Sequence, residues 1–435
     1  MPKSSKNLLL RLKSMWSSKM FNSSFEFDDD DQSFAELLSI ADQLLDLPSS
    51  RRLPLLRNQA KNLGLSLRDR ELENLLKQVR REREGRGAKR RGRRQLKIID
   101  IPWILDGLLI KEAFNLLVAM PKVGKTSLLL AMIAAWYGGD SRFLSKDLFG
   151  ECPPVLIVGN DQPESDWCRM ISVAGLPPDI GDLNVSPIVE LWDAGNRLLL
   201  DEDGIEEIRQ LAENHHGLLI LIDSIAATVT ALGIPEESPE IAEPIRALME
   251  AVSPYGATVV AIHHSSKGRA SEGAAAASRG STALPALASQ ILKLGPLNNR
   301  PESNDARLLL TAEGRGGASQ RLILSRTSDG GWQVMGDAVD VLHQEYLIER
   351  EHSLTDRDKD ALAVVRDRTN QELSTSTEDL VKLLRLDEQS PKDASRIALR
   401  MLNKLVTEGL AVDKKVSTGR ASRREFWAVQ QDLLG

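Results

Sequence analysis

Ala119-Met120-Pro121-Lys122-Val123-Gly124-Lys125-Thr126 stands between two apolar runs, Phe114 to Met120 before it and Ser127 to Trp136 after it. The octet fits the phosphate-loop pattern G-x-x-x-x-G-K-[ST] at every fixed position except the first, where Ala119 replaces glycine. The run before it reads as a buried strand and the run after it as a buried helix. A strand, a glycine-bearing loop and a helix N-terminus are what an anion requires, because the loop N–H groups and the helix dipole both point at it. In this reading Ala119, Pro121, Lys122, Val123, Gly124, Lys125, Thr126 and Ser127 form the cradle. Lys125 reaches the β- and γ-phosphates, and the Thr126 hydroxyl ligates Mg²⁺.

Outward from the loop, apolar strands alternate with amphipathic helices over residues 98–336. The strands are expected at Asn115–Ala119, Val155–Gly159, Leu218–Ile222, Thr258–Ile262, Gln290–Leu294, Arg307–Ala312 and Arg321–Ser325. That alternation predicts an α/β fold, a mostly parallel sheet with helices on both faces. The closer spacing of the last strands predicts an antiparallel extension.

A phosphate loop needs a carboxylate at the end of another buried strand to hold Mg²⁺. Leu218-Leu-Ile-Leu-Ile222 followed by Asp223 supplies it. Hydrolysis needs a base that orients water. The second strand ends in Asn160-Asp161-Gln162-Pro163-Glu164, where functional groups of such sheets collect. Asp161 admits two readings, a catalytic base or the cap of a turn before the helix starting near Glu164. His264, at the end of the fourth strand, reads as a γ-phosphate sensor or as a structural histidine. Neither His263 nor His264 has carboxylates or cysteines at metal-ligand spacing.

The 435 residues predict roughly three domains. The net charge of −6 excludes a globally basic nucleic-acid binder, and two cysteines, Cys152 and Cys168, exclude a disulfide framework and suit a cytoplasmic setting. The apolar run Leu8 to Leu10 is too short for a signal peptide, and no run is long enough to span a bilayer. Residues 1–32 read as a disordered tail and 33–84 as a small helical accessory domain, with Phe34, Leu37, Leu38, Ala41 and Leu45 on one face. The stretch Arg80 to Lys97 holds ten Lys/Arg against two Glu. Within it, 85–97 reads as a basic linker that is either simply solvated or a contact for nucleic-acid phosphates. Residues 337–354 read as a polar connector.

Residues 355–435 read as helix, helix, helix, strand, turn, strand, the order of a winged helix. Lys392, Arg396 and Arg400 lie on its third helix, and Arg420, Arg423 and Arg424 near its wing tip, so duplex DNA is the expected ligand, with a protein partner as the alternative. Ser265 to Ser281 is a long Gly/Ala/Ser-rich loop carrying Lys267, Arg269 and Arg279, either a solvated loop or a grip on a nucleic-acid backbone. Glu313-Gly314-Arg315-Gly316-Gly317 would let a turn project an arginine.

Taken in order, Ile101-Pro-Trp-Ile-Leu-Asp-Gly107, the phosphate loop, Asn160-Asp161, the Asp223 strand, His263-His264-Ser265-Ser266-Lys267 and Ser278-Arg279-Gly280-Ser281-Thr282 resemble the RecA-like superfamily. The resemblance is closest to plasmid RepA-type hexameric helicases and covers about residues 98–335. It implies a RecA-like ATPase that uses ATP and Mg²⁺ and assembles as a homo-oligomer, a hexamer. It implies translocation on single-stranded DNA through loops such as 265–281, and a trans-acting arginine finger at Arg315, with Arg326 and Arg279 as alternatives. The N-terminal helices would then meet a replication partner. In that family the second strand ends in Glu-Asp, with Glu as base. Here the Glu position is Asn160, so Asp161 takes the role or hydrolysis is slow. The second outcome would make the chain an ATP-gated DNA-binding regulator or loader without unwinding activity.

Overall fold

The computed structural model describes residues 29–83, 100–264, 282–298, 304–315, 317, 319–418 and 421–429. They divide into two compact units, one built on the helices before residue 100 together with Leu200–Glu207, the other on the remainder.

The first unit holds helices α1 (Asp29–Leu44), α2 (Ser49–Asn62) and α3 (Asp69–Arg83). Leu37, Leu38, Ala41, Leu56, Ala60, Leu72, Leu75 and Val79 close a small core between them. The helix begins at Asp29, inside the stretch expected to be an irregular tail. An acidic run reads equally as a solvated tail or as a helix start, since carboxylates suit the positive end of the dipole. The remaining tail and the basic linker 85–97 lie outside the described residues.

The second unit is built on a nine-stranded sheet. In chain order its strands are β1 (Phe114–Ala119), β2 (Val155–Val158), β3 (Ile188–Trp192), β4 (Leu219–Ile222), β5 (Thr258–His264), β6 (Gln290–Pro296), β7 (Leu308–Gly314), β8 (Gln320–Arg326) and β9 (Trp332–Asp337). Their spatial order is β9-β8-β7-β6-β1-β5-β4-β2-β3. Strands β6, β1, β5, β4, β2 and β3 run parallel, and β7, β8 and β9 continue antiparallel. The α/β class, the mostly parallel sheet and its antiparallel extension are those expected. Strands β1, β2 and β4 are buried along their whole length. Strands buried on both faces are nearly continuous apolar runs, and the polar exception in β1, Asn115, is paired with the Ile110 backbone at 2.9 Å. The helices between these strands are α4 (Lys125–Tyr137), α5 (Glu164–Val173), α6 (Glu202–Asn214), whose first residues group with the first unit, and α7 (Ala242–Val252).

Two edge strands, β3 and β9, were not expected from the sequence. Strand β9 alternates half-buried and exposed residues and includes Gly336, so its apolar signal is weak. The expected polar connector is largely a helix, α8 (Ala338–His352), capped by Asp337, whose Oδ1 accepts the Val339 N–H at 2.8 Å. It buries only Ala338, Val341 and Leu347, a stripe too narrow to stand out among its charges.

The C-terminal part packs α9 (Asp356–Asn370), α10 (Thr377–Leu383) and α11 (Ala394–Thr407) against a hairpin of β10 (Ala411–Thr418) and β11 (Ala421–Ala428). Ser376 and Asp379 form a reciprocal capping box that starts α10. Phe426, Leu402, Leu405 and Leu380 are central to its core. Among the described residues no helix is long and apolar enough to cross a membrane.

One close approach locks the second strand to its helix. Gly159 follows β2, and a Cβ there would stand 2.2 Å from the Trp167 indole. The fully buried indole donates to the Gly159 carbonyl at 3.0 Å. Gly159→Ala should therefore destabilise the protein by about 1–3 kcal/mol, as overpacking of a rigid core does, which chemical denaturation would measure.

Candidate P-loop nucleotide site

The strand order sets the site. Strand β5 separates β1 from β4, and the register pairs Ala119 with His264, Ala261 with Ile222, and Ile222 with Val158. The carboxyl ends of β1, β5, β4 and β2 therefore share one edge, where parallel α/β sheets place their ligands. Ala119, Lys125, Asp161, Asp223 and His264 all stand at that edge.

Ala119 completes β1 and is not among the residues with positive φ, so no glycine is demanded there. Gly124 is different, because it caps α4 at φ 102. A Cβ on it would meet the Arg326 guanidinium at 2.3 Å and the Trp332 ring at 3.1 Å. Lys122 is left-handed as well, at φ 64. Pro121 and Lys122 are exposed, while Val123, Thr126 and Ser127 are half-buried.

Lys125 is buried, and its Nζ lies 3.2 Å from the Met120 carbonyl and 3.3 Å from His264 Nδ1. Burial lowers its pKa, while Asp223 and Asp161 act in the opposite sense. The Thr126 hydroxyl donates to Asp223 Oδ2 at 2.5 Å. Burial holds the Asp223 carboxyl above its ordinary range, against the pull of Thr126 and Lys125. The Asp223–Ser224 peptide is cis.

Ser224 donates to Asp161 Oδ2 at 2.7 Å. The cap alternative for Asp161 does not hold. Pro163 is the cap residue of α5, and Asp193 Oδ2 accepts the Glu164 N–H at 2.7 Å. Asn160 is buried and spent on backbone. Its Nδ2 donates to the Leu198 carbonyl at 2.6 Å and its Oδ1 accepts the Leu198 N–H at 3.2 Å. His263 points away from His264, towards Glu236 at 3.8 Å.

These residues fit a Mg²⁺–nucleotide. A glycine cradle lies at a helix N-terminus, with a desolvated ammonium beside it. One hydroxyl and one carboxylate stand together, the sparse protein donor set Mg²⁺ takes when phosphates supply further oxygens.

The other predicted residues are more dispersed. Arg315 donates to the Ala286 carbonyl of its own chain. Arg326, an alternative for a trans finger, instead donates to Ser127 of its own phosphate loop at 2.7 Å. Lys392, Arg396 and Arg400 are exposed, and Arg396 pairs with Asp393 at 2.9 Å. Arg423 pairs with Glu425, and Arg424 is held by Asp413 at 2.7 Å and Asn403 at 2.6 Å. Lys267, Arg269, Arg279 and Arg420 lie outside the described residues. Sequence reasoning missed Ser224, Asp193 and Trp332. Nothing local marks Trp332, which reaches the loop only through the register of the β8–β9 hairpin.

The loop, the helix it opens and the Asp223 strand are arranged as phosphate binding requires. Residues 92–270 match the AAA domain family. No curated protein matches the chain. Among solved structures, a KaiC-like protein from the hyperthermophilic archaeon Pyrococcus horikoshii OT3 is similar at 15% identity, over 55% of this chain and 99% of that chain, with a TM-score of 0.35.

The raised Asp223 pKa has a consequence for stability. Its contribution is fully present below the unfolded carboxylate pKa and is lost as pH rises through the folded value. Nucleotide-free Asp223→Asn should thus melt above wild type at neutral pH, with the gap closing in acid. Its Mg²⁺-dependent hydrolysis should fall by roughly 10³-fold, several kcal/mol of charge stabilisation. Asp161→Asn should cut turnover by about 10²–10⁴-fold, the usual worth of a general base, with nucleotide affinity little changed. Equal loss of both in a binding and turnover assay would count against Asp161 as base.

Proposed function

We propose that this chain is an ATP-dependent DNA motor, a replicative helicase or replication protein of a mobile element that works as a cytoplasmic hexamer. The observation that carries the reading is the meeting of Lys125, Thr126, Asp223 and Asp161 at one sheet edge. ATP with Mg²⁺ supplies the energy when bound. Lys125 neutralises phosphate charge, Thr126 and Asp223 hold the cation, and Asp161 orients and deprotonates water. His264, beside Lys125, reports the state of the γ-phosphate end. Arg315 from a neighbouring subunit completes the site in trans.

DNA is assigned to two surfaces. Single-stranded DNA passes the loop 265–281 with Lys267, Arg269 and Arg279. The C-terminal helices and hairpin form a winged helix for duplex DNA, supported by the exposed cations Lys392, Arg396 and Arg400, with Arg420, Arg423 and Arg424 at the wing. Arg423 and Arg424 carry internal carboxylate partners, and so does Arg396, while Lys392 stands in the turn before α11 and not on the helix as expected. The N-terminal helices provide a surface for a replication partner. The mobile-element setting rests on the RepA-type resemblance alone.

A second reading, a slowly hydrolysing ATP-gated regulator or loader, is favoured by one observation. The position of the usual glutamate is Asn160, which is tied to backbone and cannot take a proton. Strand displacement on forked DNA separates the two. The motor predicts unwinding that Lys125→Ala abolishes, whereas ATP-dependent DNA binding without unwinding would sink it. Arg315→Ala should lower turnover by about 10³-fold or more, as loss of an arginine finger does. Mixing it with Lys125→Ala subunits should restore part of the activity, and absence of rescue at every ratio would remove Arg315 from the trans role.

A further inference from the structure

Two residues of the β8–β9 hairpin converge on the phosphate loop from far along the chain. Arg326 and Trp332 pair across the hairpin, and the guanidinium carbon lies 3.7 Å from the indole centroid. Arg326 Nη1 donates to Ser127 Oγ at 2.7 Å and to the Gly330 carbonyl at 3.0 Å. Trp332 Nε1 approaches the same Ser127 hydroxyl at 3.3 Å. The other guanidinium nitrogen comes within 2.3 Å of the position a Gly124 Cβ would take. The arrangement therefore depends on that glycine, on the ring and on the hairpin.

The charge balance is unusual. Arg326 is exposed as a residue, but its contact with Trp332 and the loop partly desolvates the guanidinium, which lowers its pKa. Among the described residues its hydrogen-bond partners are two neutral oxygens, not a carboxylate. It stands at the N-terminus of α4, where the helix dipole is already positive. Two positive sources brought together repel, and an anion between them relieves that repulsion. Arginine is the side chain suited to bridging phosphate oxygens while stacked on an aromatic face.

The position along the nucleotide follows from the loop. Lys125, His264, Asp161 and Asp223 stand together, and in the P-loop reading they mark the γ-phosphate end. Arg326 instead contacts Ser127, beyond Thr126, on the side where the loop cradles the α-phosphate. We propose that Arg326 acts in cis, its guanidinium binding the α-phosphate of the nucleotide held by its own chain, with Trp332 as the positioning residue that fixes it. This rests on the P-loop reading and adds a ligand-binding residue to it. A structural brace between hairpin and loop is the simpler rival, and a finger reaching a neighbour is the other.

Equilibrium titration with Mg-ATP and Mg-ADP tests it on the full chain. The variants are Lys125→Ala, Arg326→Ala, Arg326→Met, Arg326→Lys and Trp332→Phe, each checked for folding by circular dichroism. Arg326→Met keeps an apolar stem over the indole, so it reads the charge even if the alanine variant fails to fold. Both nucleotides should bind about tenfold more weakly to Arg326→Met, the scale of one lost charge-assisted contact, with lysine recovering part of it. Turnover at saturating ATP should change less than about threefold, because the contact is equal in ground and transition states. Nucleotide should change tryptophan emission in wild type, and Trp332→Phe should lose that change although six other tryptophans remain among the seven. Wild-type affinity in a folded Arg326→Met overturns the inference alone. A collapse of turnover at intact affinity, rescued by Lys125→Ala subunits, assigns Arg326 to a neighbour and overturns it too. If wild type binds neither nucleotide, the P-loop reading falls first and this inference with it.

Discussion

Burial of the Lys125 ammonium is the constraint around which the nucleotide end of the sheet is arranged. A desolvated cation is costly unless opposite charge and hydrogen-bond acceptors stand close. Asp223 and Asp161 supply that charge, and the Met120 carbonyl lies within reach. They come from separate strands, so their convergence depends on the order β1-β5-β4-β2 and on register. The compensation is incomplete, since the ammonium is pushed down in pKa and the Asp223 carboxyl up. A site in that condition gains by admitting a polyanion and a divalent cation together, which oppose both penalties.

Much of this was legible because it is local. A strand, a glycine loop and a helix follow one another within Phe114 to Trp136, and a buried strand ending in Asp223 is a short pattern. Strand β1 and helix α4 therefore stand where their apolar runs put them. Edge strands were less legible, since β9 is only half-buried and β3 has partly exposed positions. Helix α8 hid for a related reason: its three buried residues leave the rest of its surface polar. Trp332 could not be read at all, because its partner Ser127 lies 205 residues away.

Asn160 shows how a residue can be misread when only its place in a motif is weighed. An amide both donates and accepts, and the Leu198 backbone presents one carbonyl and one N–H to it. A carboxylate at that position would keep the acceptor role but could not donate while ionised. It would leave a buried carbonyl short of a partner and bring a further negative charge near Asp223. The asparagine therefore follows from the backbone it holds. That geometry leaves Asp161, turned towards Ser224 and within the field of Lys125, as the carboxylate free of a capping duty.

The two arginines near the extension of the sheet impose different physical demands. An arginine held against its own chain's loop, as Arg326 is held to Ser127, would add binding that is the same before and during reaction, and so would set affinity more than rate. An arginine contributed by a neighbour stabilises charge only when subunits are in register, and so sets rate and makes it depend on assembly. Arg315 is bound to the Ala286 carbonyl of its own chain, an interaction of modest net worth at an exposed site. Releasing it costs little, whereas Arg326 would forfeit its stacking on Trp332 as well as its bond to Ser127. On energetic grounds the exchangeable arginine is Arg315, and Arg326 is the one that stays.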